Sequence, residues 1–224
     1  MNNNYKWNNV TFNSKGIIIE KIPVVPRAKH SYESYTIPGK SGFLTIDNKT
    51  YEPVAFSLEC HFKENANINE IRAFLDGYGE LQLDNEKVYT GYISNTIDFD
   101  KIQNFQKFII QFMLQPVAKA TTKTTISQTT TGTFTSDTFT NSYPIITLTT
   151  AAEITIKLND IAFTIHDASG TYILDCGAKV ITKNGANQSG SMSGDFPFVK
   201  NGSNSLTVTG TASALKIEYY KTYL

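Results

Sequence analysis

The chain has 224 residues, with 20 Lys plus Arg against 20 Asp plus Glu, and the balance holds on either side of residue 120 at 13 against 13 and then 7 against 7. That length accommodates two domains, each able to bury its own core. Even charge in both halves excludes a polycation that grips nucleic acid through its phosphates. Two cysteines, Cys60 and Cys176, make no disulfide framework in so long a chain and read as buried thiols. No apolar stretch reaches the length needed to span a bilayer, so no membrane insertion is expected. The first residues, Met-Asn-Asn-Asn-Tyr-Lys-Trp, lack an apolar signal core, and the reading is of a product made in a cytoplasm without export.

In chain order, the first clear signal is a turn. Pro38 presets its own φ, Gly39 and Gly42 permit positive φ, and the backbone can reverse before Phe43, Leu44 and Ile46 enter a strand. Residues 27–50 therefore read as a hairpin. After Pro53, Val54, Phe56, Leu58, Cys60 and Phe62 alternate with Ala55, Ser57, Glu59, His61 and Lys63, the period of a strand with one buried face. A helix of three turns is expected next. Asn67 caps it with Glu70 three residues on, Ile68, Ile71 and Leu75 line one face, and Gly77 stops it. Two long strands follow, Lys87 to Asp98 and Asn104 to Leu114, the second ended by Pro116.

Composition changes at Ala118. From Lys119 to Ser142 threonine and serine dominate, which reads as a linker, with an edge strand over 132–140 that points Phe134 and Phe139 inward. Beyond Pro144 come short strands at Ile145–Leu148, Glu153–Leu158, Ile161–Ile165, Tyr172–Leu174, Leu206–Val208 and Leu215–Tyr219, with turns at Asn159-Asp160, Ser169-Gly170, Asn184-Gly185 and Asn201-Gly202. The expected fold is mostly β in two domains: residues 1–120 as a split β-barrel or sandwich with one covering helix, and 121–224 as an antiparallel β-sandwich.

Several of these stretches resemble the distal tail protein (Dit) family of long-tailed bacteriophages. They are Pro26-Arg27, the Ile37-Pro38-Gly39-Lys40-Ser41-Gly42 turn, Phe74 to Leu81 with its Gly77-Tyr78-Gly79, Phe105 to Pro116, Ser142-Tyr143-Pro144-Ile145-Ile146, and Gly194 to Asn204 around Phe196-Pro197. The resemblance implies an N-terminal ring-forming domain related to tail-tube proteins and a galectin-like C-terminal sandwich. It further implies a homo-hexameric ring that joins the tail tube to baseplate proteins, leaves a channel for DNA without specific binding, and resides in the virion after assembly in the host cytoplasm. Arg27, Ile37, Pro38, Gly39, Lys40 and Gly42 become candidates for a ring-interface hairpin, and Asp195, Phe196, Pro197 and Asn204 for a docking turn. Lys40-Ser41 departs from the Arg-Asp pair common in the family, so no salt bridge is transferred there.

Chemistry is not indicated. Gly190-Ser191-Met192-Ser193-Gly194 resembles a nucleophile elbow but holds Met192 at its centre, and reads as a turn. Gly77-Tyr78-Gly79 lacks a third glycine and leads into a strand, the reverse of a pyrophosphate site. His30, His61 and His166 have no ligand spacing, and Asp98 with Asp100 reads as a solvated turn. No catalytic residue, metal or cofactor is expected. The alternative is a cell-wall saccharide bound by the C-terminal sandwich, with Tyr172, Tyr219, Tyr220 and Tyr223 as aromatic faces; a wall-degrading enzyme rests on fold analogy alone.

Overall fold

A computed structural model describes residues 4–21, 24–64, 66–97, 107–166 and 169–224. The protein is mostly β, as the alternation requires, and divides into two compact units, Met1–Ala118 and Lys119–Tyr223.

The first unit contains β1 (Lys6–Trp7), β2 (Val10–Thr11), β3 (Ile17–Ile19), β4 (His30–Thr36), β5 (Phe43–Tyr51), β6 (Val54–Phe62), α1 (Ile68–Phe74), β7 (Tyr78–Gln82), β8 (Lys87–Ile93) and β9 (Lys107–Leu114). Seven of its strands make one antiparallel sheet in the order β2-β1-β7-β8-β9-β6-β3. The centre is the β6–β9 pair, where Phe56 faces Phe112, Leu58 faces Ile110 and Cys60 faces Phe108. All six are buried, each large apolar side chain contributing ~1.5–3 kcal/mol on burial. Trp7, fully buried, stacks obliquely on Phe112 with ring centroids 5.4 Å apart. Gly91 is obligatory beside this pair, because a Cβ there would lie 2.3 Å from the Met113 carbonyl oxygen. Burial pushes the Cys60 thiol up to about 12, with a smaller contribution from the Glu20 carboxylate, so it stays protonated and inert.

Helix α1 begins where expected: Asn67 Oδ1 accepts from the amides of Asn69 and Glu70, and Ile71 is fully buried beneath it. It runs two turns, not three. Leu75 donates the last hydrogen bond to Ile71, and Gly77 at φ +79° turns the chain straight into β7. Strand β8 also ends sooner than the alternation suggests, at Ile93. Asn95 explains this, since its side chain donates to Ile109 O at 2.8 Å and accepts from Gln111 N at 2.8 Å, replacing the ladder bonds a continuing strand would make. Asp98, Asp100, Asn104 and Phe105 lie outside the described residues.

The second unit holds β10 (Ala118–Ser127), β11 (Gly132–Ser136), β12 (Ile145–Thr150), β13 (Ile154–Leu158), β14 (Ile161–Ile165), β15 (Gly170–Asp175), β16 (Val180–Lys183), β17 (Ala186–Asn187), β18 (Met192–Gly194), β19 (Gly202–Thr209) and β20 (Ala212–Tyr223). One sheet runs β17-β16-β15-β12-β20-β10 and the other β11-β19-β13-β14-β18. Their inward rows form one core: Ile146, Leu148, Tyr172, Leu174, Ile217 and Tyr219 from the first, Ile154, Ile156, Phe163, Ile165 and Leu206 from the second. This is a β-sandwich. Asn184 (φ +53°) and Gly185 (φ +80°) make the two-residue reversal between β16 and β17 that Asn-Gly favours.

The threonine-rich stretch is not a linker. It forms the ten-residue β10, paired with β20, and the edge strand β11, because the strand preference of threonine is realised once a neighbour supplies backbone partners. Phe134 packs against the core, but Phe139 is 39% exposed. Thr138 takes the inward position instead, its hydroxyl 2.7 Å from that of Thr222.

Candidate functional site

Strands β4 and β5 form a sheet of their own, pairing with one another and with no further strand among the described residues. The register runs from His30↔Tyr51 to Thr36↔Phe43, with a bulge between His30 and Tyr32. The tip is the turn that its residues dictate. Pro38 occupies the first corner and Gly39 the second at φ +77°, Lys40 N donates to Ile37 O at 3.1 Å, and Gly42 follows at φ +90°. A β-branched residue at Gly39 would meet no neighbouring atom yet would sit in a strained φ.

What distinguishes this ribbon is its surface. Phe43 is 70% exposed, and Tyr32, Tyr35, Leu44 and Ile46 are each about half exposed. Arg27, Ile37, Pro38, Gly39, Lys40 and Gly42 are all exposed too. Nine residues at ~3.4 Å each make β5 roughly 30 Å long, with no buried face of its own. A two-stranded ribbon is marginal in water by itself, and a row of exposed aromatic and aliphatic side chains marks a surface meant to be covered.

Its root is held by polar and aromatic contacts. The His30 ring stacks on Tyr32 at 4.7 Å and meets Tyr51 edge-on at 4.8 Å, with Nδ1 3.3 Å from Asp47 Oδ1. Lys29 pairs with Glu52 at 3.1 Å. The Tyr35 hydroxyl donates a hydrogen bond to Glu33 Oε2 at 2.5 Å, which raises the phenol above its ordinary value.

The C-terminal turn behaves differently. Pro197 and Asn204 are buried, Phe196 is half-buried against the core, and only Asp195 is exposed. Asn204 staples the turn from inside: its Oδ1 accepts from Lys200 N and from Asn159 Nδ2, both at 2.9 Å, and its Nδ2 donates to the carbonyls of Lys200 and Gly202. Of the four tyrosines considered for a saccharide, Tyr172 and Tyr219 belong to the core, and Lys119 and Lys123 lie over the ring of Tyr220. Those three offer no free flat face of the kind sugar stacking needs.

The histidines are dispersed, each with its own carboxylate. His30 faces Asp47, His61 lies 3.1 Å from Glu20, and His166 lies 2.9 Å from Glu153. Among the described residues no three His, Cys, Asp or Glu side chains gather as a metal site, and no helix is long and apolar enough to cross a membrane. Gly79 serves packing: the Asn8 side chain occupies the place of its missing Cβ and accepts from Glu80 N at 2.9 Å. One grouping was missed by sequence reasoning. Ser193, in the segment set aside because Met192 held the centre, has its Oγ 2.7 Å from His166 Nε2, while His166 Nδ1 meets Glu153. Nothing in the linear spacing of 153, 166 and 193 announces it; the pairing of β13, β14 and β18 brings the three together.

No protein-family model matches the chain, and no curated protein does. Solved structures do. The Dit protein of phage SPP1, described as a paradigm of the hub adsorption apparatus in phages infecting Gram-positive bacteria, is similar at a TM-score of 0.81 and 12% identity, covering 98% of each chain. The chain has the Dit fold. A second likeness is to the baseplate of phage p2 in its activated conformation with Sr, at a TM-score of 0.51 and 9% identity over 97% of each chain. The Dit fold therefore accounts for both units and for all but a few residues, at an identity where sequence comparison finds nothing.

Proposed function

We propose that this protein is a structural component of a phage tail tip, a distal tail protein whose copies close into a hexameric ring joining the tail tube to the baseplate, with a channel through which DNA passes unbound. The observation that carries the reading is the Dit fold over nearly the whole length of both chains. Support comes from the β4–β5 ribbon. A cyclic assembly needs two different complementary patches on each subunit, and a roughly 30 Å ribbon with exposed Phe43, Leu44, Ile46 and Tyr35 supplies one of them, reaching onto the neighbouring copy. Arg27, Ile37, Pro38, Gly39, Lys40 and Gly42 shape and present that ribbon. Balanced charge suits a channel that lets a polyanion slide past without gripping it. Asp195 with the rim of its turn is the contact offered to a neighbouring tail protein, and the product resides in the virion after assembly in the host cytoplasm.

The test is the mass of the purified full chain by light scattering, alone and with neighbouring tail proteins, followed by electron micrographs viewed down any symmetry axis. Six-fold rings are the expected result. Isolated protomers under both conditions would overturn the proposal.

A further inference from the structure

We propose that the outer face of the second unit carries an esterase site in which Ser193 is the nucleophile, His166 the general base and Glu153 the residue that positions it. The three side chains stand on adjacent strand ends of one sheet and point to solvent. Ser193 Oγ lies 2.7 Å from His166 Nε2, and His166 Nδ1 lies 2.9 Å from Glu153 Oε2. That is the order nucleophilic catalysis requires, with hydroxyl, imidazole and carboxylate in line and each ring nitrogen committed to one partner. The contacts are also anchored from beneath. His166 N donates to Ser191 O at 2.9 Å, Asp195 N donates to Ala162 O at 3.1 Å, and Thr164 pairs directly with Ser193, so the strand bearing the nucleophile is fixed against the strand that leads to the base.

The register also offers an amide to the oxyanion. Among the described residues strand β18 is the last of its sheet, and the bonds of residues 191 and 195 to β14 place the backbone groups of alternate residues toward that neighbour. Gly194, between them, turns its amide off the open edge, one residue after the nucleophile, where acyl-transfer sites place such a donor. Glycine is required there for a reason of its own: φ is +99°, and a Cβ would lie 2.3 Å from Ala162 O. The 240 Å³ cleft lined by Ile181, Met192 and Phe196 lies on the core side of β18, away from Ser193, so it does not receive the acyl group. Ser193, His166 and Glu153 stand instead on the exposed face of the sheet. The substrate class is therefore an ester whose carbonyl is accessible enough to be presented to an open face.

The step balances without further reagents. Ser193 Oγ attacks the ester carbonyl as its proton passes to His166 Nε2, and the C–O bond to the alcohol breaks as that proton is returned to the leaving oxygen. Water then hydrolyses the acyl-serine through the same histidine. Glu153 stabilises the imidazolium between the two transfers.

The full chain treated with a fluorophosphonate probe is expected to carry the label on Ser193 by peptide mass spectrometry. p-Nitrophenyl acetate is expected to turn over faster with it than with Ser193→Ala, at least tenfold. Glu153→Gln is expected to lower kcat tenfold or more with KM unchanged, and Glu153→Asp to restore part of it, a split and a rescue that a merely structural residue would not give. All three residues are exposed, so circular dichroism should stay unchanged. An unlabelled Ser193, or equal turnover by the wild type and Ser193→Ala, would show an inert polar row and overturn the proposal. Neither outcome bears on ring formation.

Discussion

Replacing Phe43 by serine removes the most exposed large apolar side chain of the β4–β5 ribbon while leaving its turn and register alone. A buried phenylalanine removes roughly 200 Å² from water, so the 70% of Phe43 that is exposed represents ~140 Å² still to be covered, or ~3.5 kcal/mol per interface at ~25 cal/mol/Å². That figure is a ceiling, because ordering the ribbon against a neighbour costs part of it; half would still shift association by about twentyfold. Sedimentation velocity over a concentration series, with and without neighbouring tail proteins, reads the shift. Thermal unfolding of the dilute protomer should move by no more than a degree or two, since Phe43 has little to lose within its own chain. If Phe43→Ser assembles at the same concentration as the parent, the ribbon is not the contact. If instead the protomer itself loses stability by several degrees, the side chain was serving its own fold.

Two further outcomes follow from the interior. Asn204→Ala leaves the Lys200 amide and the carbonyls of Lys200 and Gly202 without this partner, while Asn159 Nδ2 keeps Phe198 O, and at ~1–3 kcal/mol per unpaired buried group, softened by water at the exposed Lys200, it should cost ~3 kcal/mol in denaturant unfolding; a loss under ~1 kcal/mol would mean the turn holds without its staple. Glu20, bonded to Lys107 and facing His61, has its carboxyl held below the ordinary value of 4.5, chiefly by the Lys107 hydrogen bond. A depressed folded value means the stabilisation is complete above the ordinary carboxylate range and is lost as pH falls through the folded value. Denaturation midpoints of the parent and Glu20→Gln should therefore differ most at neutral pH and converge in acid; a gap that persists at low pH would contradict this.

How much of this was legible in the sequence depends on whether local pattern or long-range pairing decided the outcome. Val54 to Phe62 and Phe108 to Leu114 were readable because a strand with one buried face writes its own alternation, and both rows are buried as written. Asn67 and Glu70 announced the helix start for the same local reason. The errors have a common cause. The run after Ala118 looked like a linker because threonine carries no strong apolar signal, yet β20 and β19 supply the partners that make it sheet. Strand β8 stops at Ile93 because of Asn95, whose bonds reach sixteen residues ahead. At the candidate site, Pro38-Gly39 gave the turn, but exposure of the whole ribbon was hidden, since Phe43-Leu44-Thr45-Ile46 reads equally as a strand with a buried side. The Glu153–His166–Ser193 grouping depends on three strands meeting, which spacing along a chain does not record.

The burial of Trp7 has a practical consequence. It is the sole tryptophan of the chain, with no exposed surface and an aromatic neighbour in Phe112, and it belongs to the first unit. Its fluorescence is thus a native beacon for one half of the molecule, blue-shifted while that half is closed and moving to the red when water reaches the indole. Melting followed by this emission reports the opening of the first unit without any dye or engineered label, whereas the tyrosines, seven in that unit and five in the other, report both at once.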